Sequence, residues 1–98
     1  LTALSRRAEQ QFNALVRHYE RLGRSEAIQN LISAVEQAAD KIAADPSVGL
    51  AAPRPYPDLA APRRAWVKTG RYWIAYRTTT PPIITGIFFE TADIPTRL

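Results

Sequence analysis

Five of the eight prolines fall between Asp45 and Pro62, and that cluster separates two stretches of different hydrophobic period. A helix cannot absorb so many missing N–H donors and fixed φ angles, so 45–62 reads as a stiff, extended connector. So long a connector within 98 residues is either a functional loop or a strap carrying the chain across one end of the fold.

Before the prolines the period is helical. Ala8, Phe12, Leu15, Tyr19 and Leu22 advance by four, three, four and three, one apolar stripe of a helix over about 5–22. Ser5 suits its N-cap, and Gly23 suits its end because glycine takes the left-handed cap conformation at little cost. A second stripe, Ile28, Leu31, Ile32, Val35, Ala38, Ala39 and Ile42, predicts a helix over 25–44 that Asp45-Pro46 terminates. The short link makes the pair an antiparallel hairpin with apolar faces turned toward something else.

After the prolines the period is two. RAWVKT (64–69) alternates, Gly70 marks a turn, and RYWIAYRT (71–78) is rich in aromatic and β-branched residues. Thr80-Pro81-Pro82 breaks the run, and IITGIFFE (83–90) is apolar on both faces, the pattern of a central strand. Residues 2–4 are a candidate edge strand, and 92–98 reads as an extended tail. The fold class is therefore α+β, one domain over 1–98: a helical hairpin on a small twisted antiparallel sheet of three to four strands.

Charge is as unevenly placed as proline. Thirteen Lys and Arg stand against nine Asp and Glu, and residues 1–53 are balanced, so the whole +4 lies in 54–98. Between Arg63 and Arg77 there are five bases and no acid, a local field that either draws an anionic partner or serves as a solvated face. Strand alternation turns Tyr72, Ile74 and Tyr76 to one side and Arg71, Trp73 and Arg77 to the other, while Arg64, Trp66 and Lys68 share a face. If the hairpin covers the tyrosine side, the other side presents cations around Trp73, an arrangement that holds phosphates and stacks bases. Trp66 reads as core; for Trp73, core and stacking platform stand equally open.

Zero Cys excludes disulfides and thiolate chemistry, one His excludes a histidine-rich metal site, and no cofactor or metal is expected. His18 flanks the first helical stripe and reads as a boundary residue. No Gly-rich phosphate loop or nucleophile elbow is present. No apolar run reaches membrane-spanning length and no signal-peptide pattern opens the chain, so the expected setting is the cytoplasm without membrane contact. The absence of Met leads us to expect residues ahead of Leu1.

Four phrases taken together, SRRAEQQF (5–12), KIAADPSVGL (41–50), GRYWIAYR (70–77) and GIFFETADIPTRL (86–98), resemble the RelE/ParE superfamily of bacterial type II toxins. The resemblance spans nearly the whole chain and implies that family's fold, a helical hairpin on a twisted antiparallel sheet. RelE-like members cut mRNA in the ribosomal A site, holding phosphate with basic sheet residues and often carrying a Tyr or His near the C-terminus. Arg63, Arg64, Lys68, Arg71 and Arg77 suit the holding, but no Tyr or His follows Arg77. ParE-like members instead inhibit DNA gyrase by protein contact, and this chain looks more like them. The resemblance thus implies a non-enzymatic toxin with no catalytic residues, promoting plasmid stabilisation and growth arrest, with ribosome-dependent mRNA cleavage as the alternative. It also implies an acidic cognate antitoxin with a DNA-binding N-terminal domain. The partner-binding residues expected are Arg63, Arg64, Lys68, Arg71, Trp73, Arg77 and Arg97.

Overall fold

Residues 3–98 are described by a computed structural model. The elements run β1 (Ala3–Leu4), α1 (Arg6–Arg21), α2 (Ser25–Ala44), a 3₁₀ turn (Pro57–Leu59), β2 (Arg64–Thr69), β3 (Tyr72–Arg77), β4 (Ile83–Phe89) and α3 (Ile94–Arg97). Both long helices match the sequence reading. The Ser5 hydroxyl accepts a bond from the Ala8 amide at 3.1 Å, which caps α1, and Gly23 takes φ 65° where the chain reverses into α2. Leu22 departs from its expected place in the stripe. It is the C-cap residue, beyond the last turn that packs on the sheet, and it is 56% exposed.

The sheet has four strands in the order β1-β4-β3-β2, with β3 and β4 central as their apolar patterns require. β2, β3 and β4 form the expected antiparallel meander, but β1 pairs parallel with β4 through Ala3–Ile83 and Leu4–Ile84. The sheet is therefore mixed. The hairpin and two further strands intervene between β1 and β4, which allows the crossover that parallel pairing needs. Beyond Leu4 the exposed edge of β4 is capped by a side chain: Gln11 Oε1 accepts a bond from the Ile87 amide at 2.9 Å. Capping of that kind blunts an edge that would otherwise offer itself to another strand.

One face of the sheet carries the main core. Tyr72, Ile74, Tyr76, Ile84 and Ile87 pack under Ala8, Leu31, Ala38 and Ile42 of the helices, with α1 over β4 and α2 over β2 and β3. The other face is covered as well. Trp66, Trp73, Ala75, Phe88 and Ile94 form a second core, closed by Tyr56 and Leu59 from the proline connector. The connector is thus a strap across the sheet. The tail supplies Ile94 from the short helix α3, where the sequence reading has an extended segment; Pro95 sits in the first turn of α3, a position its missing N–H favours.

Candidate functional site

The strap decides the fate of the aromatic platform. Trp73 is only 3% exposed and Trp66 is fully buried, so neither indole offers a face for stacking. Arg54, from the strap, lies over the Trp73 ring at 5.4 Å from the centroid. The expected surface of cations interleaved with Trp73 is corrected to a covered core whose rim carries the cations. The reason is non-local: alternation told which residues share a face, but not that the strap and tail would lie on it.

The cations then divide into two groups at opposite ends of β2 and β3. Near the β2–β3 turn, Glu90 takes Lys68 Nζ at 3.0 Å and Arg71 Nε at 2.5 Å. These are hydrogen-bonded ion pairs, first from Arg71 and then from Lys68, and they hold the Glu90 carboxyl below its ordinary range. Arg71 also lies 5.1 Å from the centroid of the Phe89 ring. Glu90, just past the end of β4, thus offsets one of the five positive charges of the acid-free run by pairing with Lys68 and Arg71.

About 13 Å away along β2 (four residues at strand spacing), Arg64 stands directly opposite Arg77 in the ladder. Arg63 precedes them in the left-handed region at φ 59°, its carbonyl accepting the Thr78 amide at 3.0 Å so that the hairpin closes behind it. The Arg64 guanidinium sits 5.6 Å from the Trp66 ring centroid and donates to the Leu59 carbonyl, while its Nε is buried with no partner among the described residues. Two arginines that the sequence reading missed complete this end. Arg6 and Arg7, from the first turn of α1, line the same groove of about 650 Å³ as Arg63, Arg64 and Arg77. Their signal was present: bases in the first helical turn oppose the dipole and call for a reason. Among the described residues that line the groove there is no Asp, Glu, His or Tyr. Arg97 lines a second cleft instead, although its carbonyl accepts a bond from the Arg7 guanidinium of the groove.

That second cleft, about 910 Å³, opens between the helical hairpin and the turn end of the sheet. The hydroxyls of Tyr19 and Tyr72 meet in its wall at 2.6 Å. Burial, reinforced by this bond, pushes the Tyr72 hydroxyl far up, so it stays protonated. Tyr76 is committed too. Its hydroxyl donates to the Pro46 carbonyl at 2.7 Å and accepts from the Gly49 amide at 3.0 Å, and burial raises its pKa. Both strand tyrosines therefore serve as struts. No helix among the described residues is long and apolar enough to cross a membrane.

A scan against protein-family models finds no match to this chain, and a search of curated proteins also returns none.

Proposed function

We propose that the chain is the toxin of a bacterial type II toxin–antitoxin pair, ParE-like in kind, which inhibits DNA gyrase by protein contact. The observation that carries this reading is the chemistry of the arginine groove. Its described lining has five arginines and no Asp, Glu, His or Tyr side chain. The strand tyrosines that might have served are held in structural bonds with raised pKa values. Such a surface suits the docking of an anionic or acidic partner better than acid–base cleavage. A helical hairpin on a twisted sheet, in the element order of the resembling phrases, supports the same reading.

The partner that neutralises it is a cognate antitoxin whose acidic, partly disordered segment complements the cationic ends, and which carries its own DNA-binding domain. Action on gyrase implies a cytoplasmic setting. The test is ATP-dependent supercoiling by purified gyrase with the folded chain added. Inhibition that the antitoxin relieves is the expected result; normal supercoiling at large molar excess overturns the reading.

A further inference from the structure

We propose that the cleft between the helical hairpin and the turn end of the sheet binds a small organic monoacid, whose carboxylate is held by the Tyr19–Tyr72 hydroxyl pair and Arg24. The deciding feature is a proton left over. Two phenolic hydroxyls carry two protons, and their contact at 2.6 Å uses one of them. Whichever tyrosine donates to the other, the second proton has no acceptor among the described residues, although the two residues are only 8% and 3% exposed. Burial keeps the Tyr72 hydroxyl protonated, so the spare donor persists through neutral pH. Both tyrosines line the cleft, and an acceptor that completes the pair enters from there.

Charge and shape select the acceptor. Among the described residues that line the cleft there is no Asp or Glu, so a basic ligand finds no counter-charge. Arg24 is fixed beside the pair. Its amide donates to the Tyr19 carbonyl at 2.9 Å, and its charge is near enough to the Tyr72 hydroxyl to oppose the rise in that group's pKa. Arg24 has no carboxylate partner among the described residues, whereas Arg71, at the same end of the cleft, is held by Glu90. One free guanidinium and one free hydroxyl proton match a single carboxylate. The walls around them are apolar, with Leu15, Ala27, Ile87 and Phe89 in the lining, and the Phe89 ring meets that of Tyr72 edge to face at 5.4 Å. The body of the acid is therefore an aliphatic or aromatic group. A cleft of about 910 Å³ with few converging polar groups on apolar walls has the dimensions of a small-molecule site. It shares no residue with the five-arginine groove, and its test contains no gyrase.

Titration of the full 98-residue chain with phenylacetate and with hexanoate, followed by amide NMR shifts, decides the matter. At least one acid should give saturable shifts centred on the cleft walls, at Leu15, Tyr19, Ala27 and Phe89. The matching neutral amide should bind at least ~5-fold more weakly, because a charged acceptor makes the stronger hydrogen bond. Tyr19→Phe with Tyr72→Phe removes both partners of the buried bond and keeps their shape, so the double variant should fold while losing at least ~10-fold in affinity. Arg24→Gln, at an exposed position that leaves the core intact, should weaken binding about 3–10-fold. Arg6→Gln with Arg77→Gln, in the other groove, should leave affinity within about twofold. No saturable shift at millimolar concentrations of either acid, or equal binding of the amides, would overturn the proposal. So would unchanged affinity in the tyrosine and Arg24 variants, equal weakening by the groove variant, or displacement of the acid by a glutamate-rich peptide at lower concentration.

Discussion

Arg64 and Arg77 stand directly opposite one another across the β2–β3 ladder, with no Asp or Glu side chain among the described residues that line their groove. Like charges so placed destabilise a sheet by a fraction of a kcal/mol. Arg77→Thr should therefore raise stability by about 0.2–1 kcal/mol in low salt, since threonine also suits a strand. Urea unfolding midpoints measure it, and the gain should shrink as salt screens the repulsion. A midpoint that falls would show that Arg77 is held by favourable contacts instead.

Glu90, at the other end of the hairpin, contributes to the acid limb of the stability curve. Its carboxyl is held low by Arg71 and Lys68, so the folded pKa lies below the unfolded one. The stabilisation is complete above the unfolded pKa and disappears as pH falls through the folded value. Thermal midpoints recorded from neutral pH down through the carboxylate range should drop less for Glu90→Gln than for the wild type over that window. The same variant frees Lys68 and Arg71, so its affinity for heparin or DNA should rise. Unchanged acid sensitivity would remove Glu90 from this role.

Trp73 separates core from contact surface. Trp73→Ala should cost about 3–5 kcal/mol, the usual penalty for emptying a large aromatic from a packed interior. The loss spreads to Phe88, Ile94 and the Arg54 that caps the ring. Guanidinium unfolding gives the number. A loss of partner binding at unchanged stability would return Trp73 to the surface.

Tyr76 pins the start of the strap. Tyr76→Phe leaves the Pro46 carbonyl and the Gly49 amide without their hydroxyl partner, a cost of about 1–3 kcal/mol. Gly49 permits no larger neighbour there, because an added Cβ would lie 2.6 Å from the Tyr76 hydroxyl and 2.9 Å from Ala65 Cβ. Both Tyr76→Phe and Gly49→Ala should speed limited proteolysis within 45–52 while the helical circular dichroism stays intact. Protease resistance equal to the wild type would argue against the pin.

These residues also show where sequence reasoning reached and where it stopped. Local period was enough for α1, α2 and the three-strand meander, because each buries its own apolar stripe or alternating face, and it put Tyr72, Ile74 and Tyr76 on one face, the one that the helices cover. Contacts made across the chain were not legible. Tyr56, Leu59 and Ile94 cover Trp73 from segments whose proline content says only that they are not long helices or central strands. Glu90, just past the end of β4, pairs with Lys68 and Arg71, 22 and 19 residues away. Arg6 and Arg7 reach the groove because β1 pairs beside β4 and so brings the first turn of α1 near the end of β3. The direction of β1 itself depends on that same topology.

The proposed function requires that this cationic surface dock a protein target in place of cutting RNA. Inducing the chain in growing bacteria and following plasmid topology and transcript ends in the same culture tests it most directly. A gyrase inhibitor should cause loss of negative supercoiling, or gyrase-linked DNA breaks, before any change in transcript integrity, with both effects suppressed by the antitoxin. Codon-phased transcript cuts appearing first, with plasmid topology unchanged, would contradict it.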